Sequence, residues 1–110
     1  MNPSFDIGTL RQSASEACAL LKVLGNADRL LILCQLTQGE YCVAELADLT
    51  GVTQPTLSQQ LTVLRQNGLV STRREGKQVY YSITSANAMA VMHVLYELYC
   101  EQQPNGEESI

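Results

Sequence analysis

The residues with most chemistry to offer are four cysteines, Cys18, Cys34, Cys42 and Cys100, and a single histidine, His93. A thiolate can ligate a soft metal, attack an electrophilic sulfur, or join a second thiol. Each of these needs partners. No Cys-x-x-Cys is present, and one histidine offers little to activate a nucleophile, so a thiol enzyme is the weakest of the function classes these residues allow. Free cysteine also behaves as a small hydrophobe, and Cys18, between Ala17 and Ala19, is expected to pack as one. Spacing alone gives Cys34 and Cys100 no more than that. A lone histidine on an apolar helix is more often packed or solvated than a ligand.

The elements that must position these groups are mostly helical. Ser13 or Ser15 is expected to open a first helix that buries Ala17, Leu20, Leu21 and Leu24 and stops at Gly25. Asn26 caps a second, which carries Leu30, Leu31, Leu33, Cys34 and Leu36 to Gly39. A third ends at Thr50, with Val43, Leu46, Ala47 and Leu49 directed inward. Only Gly51 and Val52 separate it from the cap of the next, the brevity a helix-turn-helix requires.

That next helix runs from about Gln54 to Asn67, capped by Thr53 with Pro55 in its first turn and Gly68 after its last. Leu57, Leu61 and Leu64 form its apolar stripe. The opposite face carries Thr56, Gln59, Thr62, Val63 and Gln66, with Ser58 and Arg65 on its flank, and these with Gln54 at its start are suited to base edges and phosphates in a major groove. After Gly68 the period changes to that of strands. Leu69–Arg73 and Gln78–Ile83 flank Arg74-Glu75-Gly76-Lys77, a hairpin whose basic tip, with Arg73 and Gln78, reads as a DNA-binding wing. Thr84 or Ser85 begins a last helix through Met89, Met92, His93, Leu95, Tyr96, Tyr99 and Cys100, apolar around much of its circumference.

A net charge of −4 seems at odds with DNA, but the charge is unevenly spread. Residues 51–83 hold Arg65, Arg73, Arg74 and Lys77 against Glu75, which is 4 − 1 = +3. So few basic groups make few phosphate contacts, and a homodimer on two half-sites would double them. The apolar first and last helices, outside the reading unit, are the natural dimer surface. The chain therefore reads as a mainly α protein with a small β-hairpin, a winged helix-turn-helix in the order α-α-α-α-β-β-α. Residues 1–12 are expected to form a flexible N-terminus, 13–102 the domain, and 103–110 a disordered tail. At 110 residues there is room for one core and none for a separate ligand-binding domain. No apolar run is long enough to span a membrane and no signal peptide is evident, so a cytoplasmic location with reduced thiols is expected.

Asn26-Ala27-Asp28-Arg29-Leu30, Thr53-Gln54-Pro55-Thr56-Leu57-Ser58-Gln59-Gln60-Leu61 and Gly68-Leu69-Val70 together resemble the ArsR/SmtB family of small bacterial winged-helix repressors, over about residues 13–102. The resemblance implies an operator-binding dimer released by a chemical signal. In metal-sensing members two thiolates lie two residues apart at the start of the helix-turn-helix. Here Cys42 matches the first and Ala44 stands at the second, so no metal site is expected, Cys42 remaining its one trace, and no cofactor is implied. The runs Leu33-Cys34 and Tyr99-Cys100 are similar instead to the persulfide- and redox-responsive branch. That resemblance assigns Cys34 and Cys100 as the sensing pair and reactive sulfur species or oxidants as the inducer. A metal- or metalloid-responsive repressor using Cys42 with other thiols is the alternative.

Overall fold

The computed structural model describes residues 6–101; the expected tail at 103–110 lies outside them. Helix α1 (Ile7–Leu24) is followed by α2 (Ala27–Leu36), a short strand β1 (Tyr41–Cys42), α3 (Val43–Thr50) and α4 (Thr56–Gln66). Strands β2 (Val70–Glu75) and β3 (Gln78–Ile83) lead to α5 (Ala86–Tyr96), and the last described element is a π-helical turn at Glu97–Glu101.

Local chemistry sets most of these boundaries. The Asn26 side chain accepts the Arg29 amide at 3.0 Å and Ser85 accepts that of Ala88 at 3.0 Å, each satisfying an orphan donor of a first turn. Gly51 ends α3 at φ 77°, a left-handed conformation that a residue without Cβ adopts without strain. Leu57, Leu61 and Leu64 of α4 pack with Ile32, Leu33 and Leu36 of α2, Leu46 of α3, and Ala88 and Met92 of α5. One core thus unites the helix-turn-helix with the second and last helices.

Several expectations are corrected. Helix α1 starts at Ile7, where Asp6 accepts the Thr9 amide at 3.2 Å, so neither Ser13 nor Ser15 opens it and much of the stretch expected to be flexible is helical. Cys18 is exposed, not packed. It shares the outer face of α1 with Ile7, Leu10 and Leu21, spaced at i, i+3, i+11 and i+14, while Val23 and Leu24 take the core side. In α2, Ile32 is buried and Leu31 exposed, because the inward stripe is rotated from the one expected. Leu49 of α3 is 54% exposed for the same reason.

The turn between α3 and α4 spans residues 51–55, longer than Gly51 and Val52 alone, and Thr53 lies too far upstream to cap. Its role passes to Gln54, whose Oε1 accepts the Ser58 amide at 3.1 Å. Pro55 precedes the first helical residue. The sheet has three strands, not two, in the order β1-β3-β2, with Tyr41 opposite Tyr81 and Cys42 opposite Tyr80. Two residues are too few to show a strand's alternation, which is why β1 was illegible.

Candidate DNA-reading surface and thiol cleft

On α4 the buried leucines leave Ser58, Gln59, Thr62, Arg65 and Gln66 exposed along one contiguous strip. Thr56 and Val63, expected on that strip, are half-buried at its margins. Thr62 Oγ1 donates to the Ser58 carbonyl at 2.9 Å, which leaves its oxygen lone pairs and methyl outward. Gln54 sits before the helix with its oxygen committed to the Ser58 amide.

The hairpin is antiparallel from Val70 opposite Ile83 to Glu75 opposite Gln78. Gly76 turns the tip at φ 63°, and Arg74, Lys77 and Gln78 are exposed there. Arg73 differs from its neighbours. Its guanidinium pairs with Glu40 at 2.9 Å and with Glu75, and lies 4.9 Å from the centre of the Tyr80 ring. These two carboxylates push its pKa further up, so it stays charged while its charge is locally balanced. Among the described residues, Arg74 and Lys77 are the wing cations without an ion-pair partner. Replacing either by Ala is expected to weaken binding to every duplex alike and to lower the salt slope by about one, whereas Arg73→Ala should change the slope less. Gln59→Ala or Thr62→Ala should relax sequence preference instead. Titrations of matched and scrambled duplexes at several salt concentrations separate the two classes; a flattened slope for Gln59→Ala would contradict the division.

The thiols fall into three places. Cys18 is on the outer face of α1. Cys42 is buried where β1 passes into α3, its amide donating to Glu45 Oε1 at 3.0 Å. Cys34 and Cys100 come together, lining one open cleft of about 620 Å³ with Leu31, Leu49, Met92, His93 and Tyr96. Cys34 reaches it from α2 and Cys100 from the π-helical turn, where a continuous α-helix was expected. Among the described residues no group of three or more His, Cys, Asp or Glu side chains is placed to hold a metal ion.

Cys34 counts as exposed, yet its sulfur leans on the core, 3.9 Å from Sδ of Met92, which is 1% exposed. Burial first, and then the charge of nearby Cys100, push its pKa above the ordinary thiol value. Near neutral pH Cys34 is therefore less ionised than a free thiol, and its alkylation by iodoacetamide should accelerate with pH to a midpoint above that of free cysteine. Peptide mapping of labelled protein across pH checks this. A midpoint below the ordinary value would contradict it.

The leucines, Met92 and Tyr96 around the thiols carried no signal beyond their helical periodicity. Nor did Arg29, whose Nη1 donates to Gln60 Oε1 at 2.8 Å and joins the start of α2 to the reading helix.

The model of the bacterial regulatory proteins of the arsR family matches residues 26–72. The biofilm growth-associated repressor of Xylella fastidiosa is 45% identical over 94 residues, covering 86% of this chain and 82% of its own length. The chain belongs to the ArsR family. Solved structures of this family superpose closely on it. The reduced form of HlyU from Vibrio cholerae gives a TM-score of 0.80 at 39% identity, over 84% of this chain and 98% of that one. The homodimeric winged helix-turn-helix DNA-binding domain Mb0332 of Mycobacterium bovis, described as a possible ArsR-family transcriptional regulator, gives 0.70 at 31% identity over 93% of each chain. The ArsR-family homologues are DNA-binding transcriptional regulators rather than enzymes, and the thiol-enzyme reading is set aside. No helix among the described residues is long and apolar enough to cross a membrane.

Proposed function

We propose that this ArsR-family chain is a dimeric repressor that holds operator DNA while its thiols are reduced and lets go when Cys34 and Cys100 are joined through sulfur. The observation that carries this reading is that these two, of the four cysteines, line the same cleft from different elements. Likeness to a repressor and to a protein solved in its reduced form supports it.

The sulfur chemistry balances without a metal. The thiolate of Cys100 attacks the outer sulfur of a low-molecular-weight persulfide, giving a cysteine persulfide and releasing the carrier thiolate. The thiolate of Cys34 then attacks the inner sulfur of that persulfide, forming a disulfide and expelling HS⁻. If both cysteines are first persulfidated, their condensation leaves a trisulfide and H₂S. Either product ties α2 to the end of α5.

The exposed apolar residues of α1, together with Val94, Leu98 and Tyr99 at the other end of the chain, supply the surface for a second copy. Bridging α2 to that region would alter the separation of the two reading helices, and half-site spacing is the quantity that two-fold recognition depends on. A DNA partner and reduced thiols are consistent with activity in the cytoplasm.

The deciding experiment is mass spectrometry after separate exposure to glutathione persulfide, hydrogen peroxide and Zn(II), each followed by duplex binding. A Cys34–Cys100 link, as a disulfide or with added sulfur, with DNA released, is the expected outcome, and added sulfur marks the persulfide as the inducer. Release by stoichiometric Zn(II) with the thiols unlinked would transfer the function to the metal-responsive reading, with Cys42 among the ligands.

A further inference from the structure

The last turn of α1 leaves the carbonyls of Lys22 and Val23 with no helical amide to accept. Arg29 takes both. Its Nε donates to the Val23 carbonyl and its Nη2 lies 3.5 Å from that of Lys22, which puts a cation at a helix C-terminus, where the helix dipole favours one. The remaining arm, Nη1, donates to Oε1 of Gln60 at 2.8 Å. The arginine's own amide is held by the Asn26 cap, so one planar group joins the end of α1, the start of α2 and the reading helix.

The geometry also fixes the orientation of the glutamine. A guanidinium has no acceptor, so the amide oxygen of Gln60 must face Arg29 and its NH₂ must face away. That NH₂ has no protein acceptor among the described residues. Gln60 is half-buried one turn on from Thr56, on the shoulder of α4 between the exposed strip and the buried leucines. A neutral donor on such a shoulder suits a backbone phosphate oxygen, a contact that positions the reader and carries no sequence information.

We propose that Arg29 is a positioning residue for operator binding: acting through Gln60, it sets the reading helix against α1 and commits the Gln60 NH₂ to a phosphate. Lysine cannot replace it, because a single ammonium does not span two carbonyls and an amide in one plane. This rests on α4 being the DNA-reading helix, and the two can fail separately. Selection of a duplex from a random-sequence pool by the wild-type protein tests the reader; variants measured on that selected duplex test Arg29.

Arg29→Lys and Gln60→Ala are each expected to weaken binding about tenfold, the size of one lost charge-assisted hydrogen bond. The double variant should be no weaker than Gln60→Ala alone, because both changes interrupt one path. A role confined to folding the α1–α2 turn would instead give losses that multiply, and that result overturns the proposal. Arg29→Gln supplies a second readout. Its salt slope should equal that of wild type, since Arg29 acts through a neutral amide; a slope lower by about one would make Arg29 a direct phosphate contact and would equally overturn it.

Discussion

A Cys100→Ser protein is expected to keep its operator in polysulfide at concentrations that strip DNA from the wild type. The serine hydroxyl fills nearly the same space in an exposed turn, so folding and resting affinity should be unchanged. What disappears is the first nucleophile and with it any bridge to Cys34. Coupling between two sites in one protein is typically worth about 1–3 kcal/mol, so polysulfide should lower wild-type affinity by about 5–150-fold and leave the variant's where it was. Cys34→Ser should behave alike on DNA, but would accumulate a persulfide on Cys100 that has no resolving thiol. Fluorescence-anisotropy titrations with and without polysulfide measure both. Should Cys100→Ser still release DNA, the two-thiol switch is wrong.

The largest effect on stability is expected from Leu57→Ala. Leu57 is 0% exposed and belongs to the core shared by α2, α3, α4 and α5. Truncating such a leucine removes its transfer energy and leaves a cavity, together about 2–5 kcal/mol. Domains of this size are stable by about 5–15 kcal/mol, so a large fraction of the total is at stake. With about 4–8 °C lost per kcal/mol, the melting temperature should fall by roughly 10–30 °C. Leu49→Ala, at a residue 54% exposed, is the control and should cost within about 0.5 kcal/mol. Calorimetry at one fixed protein concentration compares them, since melting of a dimer depends on concentration. Equal melting of Leu57→Ala and wild type would show that the reading helix is not seated on this core.

The reading unit was legible because each of its signals is local. Leu57, Leu61 and Leu64 mark the inward face of α4 by spacing alone, and Asn26, Ser85, Gly51 and Gly76 sit where caps and turns need them. What escaped depends on contacts between residues far apart in the chain. Arg73 reads as one more wing cation until Glu40, 33 positions upstream, is found against it. Gln60 reads as part of a polar helix until Arg29, 31 positions away, takes its oxygen. The approach of Cys34 to Cys100 has no trace in spacing and was expected only through the resemblance to the persulfide-responsive branch. Cys18 misled for the opposite reason: flanking alanines suggest burial, but a single chain covers just one side of α1.

Strand β1 has a mechanical consequence. Its two residues pair with the middle strand of the sheet, and its last residue, Cys42, is also the N-cap of α3, with no linker between them. The wing and the helix-turn-helix are thereby welded into one rigid body, with the Glu40–Arg73 pair as a second rivet. Such a body resists the hairpin folding away from the groove while α4 stays in it. In the proposed dimer a signal would then tilt or translate the whole reader against its twin, and loss of grip on DNA should be concerted, wing and helix leaving together.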